Sequence, residues 1–119
     1  MPKIPEHDLD QSLPDVRSTM RFSALQSSVE IFRDYWGIPH IRAECEADLY
    51  FAQGFTTAQD RLWHMDCDRM KALGRWAEYV GPDAVAHDRF MRTVGMGRTA
   101  IIDYEICSKE SRIMLDSYA

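Results

Sequence analysis

From Ala47 to Val80 the apolar residues fall at steps of three, four or their multiples: Ala47, Phe51, Gly54, Ala58, Leu62, Met65, Leu73, Trp76 and Val80. That spacing sets them on one face of a helix, interrupted only by Arg69, with Gln53, Asp60, His64, Asp68 and Lys71 on the other face. So long an amphipathic run commits the middle of the chain to helix packing. Gly74 is the place where it is expected to divide into two helices. Gly81-Pro82 then stops it, because glycine accepts a left-handed cap and proline cannot donate into a continuing helix.

The flanks have a different texture. Residues 1–27 carry three prolines and a Ser/Gln-rich stretch without sustained periodicity, and read as a flexible N-terminal tail with at most a short helix near Ser18 to Leu25. Val29 and Ile31 then alternate with Glu30 and Arg33. A turn at Tyr35-Trp36-Gly37 leads to Ile38-Pro39-His40-Ile41-Arg42, which predicts a β-hairpin whose second arm is held to an edge by Pro39. Beyond Pro82, helical patterning covers Asp83 to Arg92 and Arg98 to Ile106, separated by Gly95-Met96-Gly97. A last helix is expected from Lys109 to Ala119, with Ser108 as N-cap, Ser111 close by, and Ile113, Met114, Leu115 and Tyr118 as its apolar side. It reaches the final residue with no cap or polar tail, so the chain is expected to stop inside an element of a larger fold. The fold class is α+β, mostly helical with an N-terminal β-hairpin, and the domain proper spans residues 28–119.

Fourteen basic residues against nineteen acidic ones leave a net charge of −5, and no basic block exists to neutralise phosphates, which argues against nucleic acid as a partner. Cys45, Cys67 and Cys107 match neither a CxxC metal pair nor a disulfide framework and read as small buried hydrophobes. The start, MPKIPEHDLD, lacks the continuous apolar run of a secretory signal, and no later window has the apolar length of a membrane span. As written, the chain reads as cytoplasmic. It would be periplasmic or secreted if the true start lay upstream.

Three pieces then stand in order: Val29-Glu30-Ile31-Phe32-Arg33-Asp34-Tyr35-Trp36-Gly37-Ile38-Pro39-His40-Ile41, Ala52-Gln53-Gly54-Phe55 with Ala58-Gln59-Asp60-Arg61-Leu62-Trp63, and Met65-Asp66 with Gly74-Arg75-Trp76-Ala77-Glu78. Together they resemble the opening of the α chain in the penicillin acylase (penicillin amidase) family, with its R-D-x-x-G-[VI]-P-H-I strand and turn followed by an A-Q-D-R-L-[WF]-Q-M helix. The resemblance implies an N-terminal-nucleophile hydrolase, an αββα sandwich made from one precursor that cuts itself into α and β chains. The implied reaction is hydrolysis of linear, non-peptide amides, such as the side chains of β-lactam antibiotics or N-acyl lactones. The nucleophile would be a Ser at the start of the β chain, with its own α-amino group as base. Self-cleavage would need a small residue, usually Gly, before that Ser. Here the six glycines precede Ile38, Phe55, Arg75, Pro82, Met96 and Arg98. No catalytic residue is therefore assigned to this chain, and the expected role is scaffold, with the β chain or remaining precursor as partner. No cofactor is expected in this chain, although calcium is possible in the full-length parent. His64 stands where the family usually has Gln.

Several sharper readings compete with bland ones. Asp60, His64 and Asp68 share a helix face and could approach a metal, yet such stripes are commonly solvated surface, so no metal ligand is assigned. His40 reads as a turn-fixing histidine rather than a base, and Asp60-Arg61 as a structural bridge with Arg61 as scaffold. The aromatic set Trp36, Tyr50, Phe51, Phe55, Trp63, Trp76 and Tyr79 reads as core rather than a ligand box. An N-terminal proline amine at Pro2 is discounted, because Pro5 and Pro14 break the strand that such a site needs. The alternative to the hydrolase scaffold is a small non-catalytic helical protein that binds a partner through the stripe from Phe51 to Trp76, or an inactive gene remnant.

Overall fold

The computed structural model describes residues 5–119; Pro2 lies outside them. A short helix α1 (Glu6–Gln11) precedes the hairpin β1 (Glu30–Arg33) and β2 (Pro39–Arg42), and five helices follow: α2 (Glu46–Ala72), α3 (Ala77–Val80), α4 (Val85–Val94), α5 (Met96–Ile106) and α6 (Lys109–Tyr118). The hairpin is antiparallel, with Ile31 opposite Ile41 and Phe32 opposite His40, as the alternation from Val29 predicts. Residues 18–25, where a short helix was expected, form only turns, and the helix of this region lies earlier, at α1.

Helix α2 is the spine. It begins one residue before Ala47 and ends at the glycine expected to divide it: Gly74 has φ +64°, and a Cβ there would press on the Asp88 carbonyl. Gly81, at φ +85°, closes α3, and a 3-10 turn, Pro82–Ala84, leads into α4. One break was not foreseen: Arg61 leaves helical geometry (φ −143°, ψ 24°) and kinks α2. The kink shifts the buried face. Ahead of it Asp48, Ala52, Gly54 and Thr56 are buried, and behind it Cys67 and Met70, whereas Leu62 and Trp63 beside it stand in solvent.

Helix α6 lies against α2 in the most extensive contact between two elements. The contact is close because Gly54 has no side chain, and a Cβ there would run into the Tyr118 carbonyl. Ser108 caps α6 as expected, its hydroxyl accepting the Ser111 amide at 3.1 Å.

The apolar stripe does not become a closed core. Among the described residues the buried apolar side chains are Ala52, Cys67, Met70 and Ala84, all small or flexible. The expected aromatic core is corrected accordingly. Phe51 and Phe55 pack on Phe22, and Trp76 on Tyr79, but Trp36 is 81% exposed and Trp63 63%. Of the cysteines only Cys67 is buried; Cys45 and Cys107 are half-buried, and all three are free thiols. The surface measures 9913 Å², about half again what a compact domain of this length exposes. The radius of gyration is 18.0 Å, against about 13.5 Å for such a domain.

Candidate functional site

The polar side chains with the most partners lie where the hairpin meets α2. Arg33, at the end of β1, extends its guanidinium to α2: Nη2 stands 2.9 Å from Asp60 Oδ1, Nη1 donates to Asp60 Oδ2 at 3.0 Å, and Nη2 donates to Gln59 Oε1 at 3.3 Å. The same Nη1 donates back to the Gly37 carbonyl at 2.9 Å. A planar fork can serve these acceptors together, which an ammonium cannot.

Asp34 builds the turn itself. Its Oδ1 accepts the amides of Trp36 and Ile38 at 2.9 and 3.0 Å, and its Oδ2 lies 3.2 Å from His40 Nε2. The Ile38 amide foremost, with His40 and the Trp36 amide, holds the Asp34 pKa below the usual carboxylate value. The His40 ring stacks on Phe32 at 4.7 Å. His40 thus braces the turn.

Two buried aspartates pin other segments. Asp48, 1% exposed, accepts the Gln26 and Ser27 amides, both at 2.9 Å, and so fastens the chain ahead of β1 to α2. The Gln26 amide, then that of Ser27 and the Cys45 thiol, outweigh burial and lower its pKa. Asp88 on α4 repeats the device, accepting Trp76 and Ala77 amides at 2.9 and 2.8 Å. Burial pushes Asp88 up, but those amides and His87 leave it below the ordinary value. Arg92 adds a bond from Nε to the Gly74 carbonyl at 2.8 Å. Sequence reading missed Arg33, Asp48, Asp88 and Arg92, since nothing in local spacing marks a side chain that acts 11 to 27 residues away. An acidic residue in the first turn of α2 was the one signal at Asp48, and it points equally to a helix-dipole role.

The stripe Asp60, His64 and Asp68 is not gathered. His64 pairs with Asp68 at 3.3 Å on the exposed face, while Asp60 turns to Arg33. Asp60 is therefore the structural bridge, and its partner is Arg33 rather than Arg61, which is exposed. Among the described residues no group of three or more His, Cys, Asp or Glu is close enough to hold a metal ion. Each histidine stands beside an aspartate: His7 by Asp8, His40 by Asp34, His64 by Asp68 and His87 by Asp88. A cavity of about 300 Å³ lies between residues 15–25, β1 and α2, floored by Phe22, Phe51 and Phe55 and rimmed by Arg33 and Gln59. No helix among the described residues is long and apolar enough to cross a membrane.

This helical chain with an N-terminal hairpin resembles part of a solved N-terminal-nucleophile hydrolase. The structure superposes on a thermostable penicillin G acylase from Alcaligenes faecalis with a TM-score of 0.69 and 33% identity, over 77% of this chain and 49% of that one. The family model for penicillin amidase matches residues 28–119, and the chain belongs to that family. It is similar to the penicillin acylase 2 proenzyme of Pseudomonas sp. (strain SE83), 41% identical over 98% of this chain. It is also similar to the acyl-homoserine lactone acylase QuiP of Pseudomonas aeruginosa, 39% identical over 91% of this chain. The chain spans 15% and 13% of the length of these two relatives.

Proposed function

We propose that this chain is the N-terminal scaffold of an amide hydrolase, and that the enzyme cuts linear, non-peptide C–N bonds. Water would be added across an N-acyl amide to give a carboxylic acid and an amine. The relatives are a penicillin acylase and an acyl-homoserine lactone acylase, which favours two substrate classes, β-lactam antibiotics and N-acyl homoserine lactones. The nucleophilic Ser and its α-amino base would come from precursor sequence outside these 119 residues, as would any calcium. Residues 28–119 would form the partial α-chain domain, with 1–27 as its N-terminal tail.

The observation that carries this reading is the uncovered apolar surface of α4 and α5. Phe90, Val94, Ile101, Ile102 and Ile106 are each more than half exposed, and large apolar side chains left in water on two successive helices are what an interface would cover. The absence of any Gly-Ser, Gly-Thr or Gly-Cys pair supports placing the nucleophile elsewhere. The test is an amidase assay on chromogenic N-acyl anilides bearing aromatic, short and long acyl groups. The purified chain is expected to give no turnover. Activity is expected when it is produced together with the Pseudomonas proenzyme deleted for its matching segment. Hydrolysis by the chain alone would contradict the scaffold reading, as would failure of the paired production to yield activity.

A further inference from the structure

The turn between β1 and β2 combines heavy bracing with full exposure. Tyr35 is 92% exposed and Trp36 81%, the two most exposed large apolar side chains among the described residues. Ile38 beside them is 55% exposed. Yet the backbone beneath them is fixed from every side. The Asp34 carboxylate accepts the Trp36 and Ile38 amides. The Asp34 amide donates to the Ile38 carbonyl at 3.1 Å, and the Gly37 amide to the Asp34 carbonyl at 2.9 Å. Arg33 holds the Gly37 carbonyl while bound to Asp60 and Gln59 on the spine helix. The two rings meet edge to face at 5.2 Å and 80°. Interface energy concentrates in Trp and Tyr anchors, and fixing an anchor beforehand removes most of the ordering cost of binding.

Charge selects the occupant. The tip, Tyr35-Trp36-Gly37-Ile38, is uncharged, and the ionised groups at its base are Asp34, Asp60 and an Arg33 already neutralised by Asp60. An anionic membrane surface calls for a cationic rim, which this tip lacks. A second copy of the chain would bring acid to acid at a net charge of −5. Protein surface of the same precursor is ample, since the Pseudomonas relative matches over only 15% of its length. We infer that Tyr35 and Trp36 form a pre-set anchor that seats in an apolar pocket on the precursor segment outside these 119 residues, with an acceptor there for the Trp36 indole N–H. This rests on the scaffold reading proposed above.

The experiment co-produces a tagged chain with the Pseudomonas proenzyme deleted for its matching segment, and reads co-purification and the dissociation constant. Variants are Trp36→Ala, Trp36→Phe and, as a control on an exposed apolar residue elsewhere, Leu13→Ala. Trp36→Ala is expected to weaken assembly on the order of 30-fold, Trp36→Phe less, and Leu13→Ala not at all. Hydrogen exchange at the Ile38 amide should stay unchanged in Trp36→Ala, separating a lost contact from a lost turn. Assembly of Trp36→Ala at wild-type affinity overturns the anchor while leaving the scaffold reading intact. Exchange of the Ile38 amide rising with the loss of assembly also overturns it, as does a concentration-dependent dimer of the chain alone that Trp36→Ala abolishes. If the wild-type chain does not assemble, the scaffold reading falls and the anchor with it.

Discussion

The unit of hairpin, α2 and α6 and the unit of α4 and α5 are built from similar proportions of apolar residues, yet they are held in opposite ways. The first is locked by specific devices: Arg33 spanning to Asp60, Asp48 gripping two amides, and Gly54 admitting the end of α6. The second is attached at its two ends, through Asp88 and Arg92 of α4 and through α6 where α5 ends. There Arg112 donates to the Tyr104 and Glu105 carbonyls, and the Tyr104 hydroxyl donates to Asp116. Between these ends α5 rests on α4. Its isoleucines face water. Apolar content therefore does not tell where a core closes. What closes it is a neighbouring surface, and among the described residues nothing buries Phe90, Ile101, Ile102 or Ile106.

Substitutions should separate the two regions. The largest effect is expected from Gly54→Leu, where even the first carbon collides with the Tyr118 backbone. Overpacking of this kind should cost about 3 kcal/mol, read as a lower melting temperature together with faster amide exchange throughout α6. Arg33→Lys comes next. A lysine keeps the charge but cannot reach Asp60, Gln59 and Gly37 together, and roughly 2 kcal/mol should be lost, with exchange rising in the turn.

Asp48→Asn should cost about as much, on the order of 2 kcal/mol. The amide oxygen keeps one accepted bond, while the NH2 group sets a donor against the other backbone N–H in a buried site. Its signature is selective exchange at Gln26 and Ser27. The same clamp gives a pH dependence. The folded pKa of Asp48 is depressed, so its contribution is complete above the ordinary carboxylate value and is lost as pH falls through the lower folded one. Acid titration followed by exchange should release residues 26 and 27 in that window, and Asp48→Asn should remove the dependence. The smallest effect belongs to the open region: Ile102→Ser on α5 should change stability of the isolated chain by less than about 0.5 kcal/mol. A large loss there would mean that α5 is already packed.

Much of this arrangement is legible from residue spacing, because the features concerned are local. Gly37 at a turn, Gly74 and Gly81-Pro82 at helix ends, and Ser108 at a helix start act within four residues, and each is found where spacing puts it. The kink at Arg61 was not legible, since no Pro or Gly marks it, and it moves the buried face from the expected stripe. The clamps were hidden for another reason. Asp48 reaches back 21 and 22 residues and Arg33 forward 26 and 27, so their partners are set by the tertiary fold. The family resemblance located the segment correctly, because its motifs are the hairpin turn and the spine helix.

The central claim is that α4 and α5 are the part of this chain whose core is completed by the rest of an amidase precursor. Amide hydrogen exchange of the chain alone and of the chain produced with the deleted Pseudomonas proenzyme tests it most directly. Protection of Ile101, Ile102 and Ile106 is expected to be slight in the chain alone and to rise steeply in the assembly, while α2 near Gly54 is protected in both. Strong protection of α5 in the isolated chain, or none in the assembly, would contradict it.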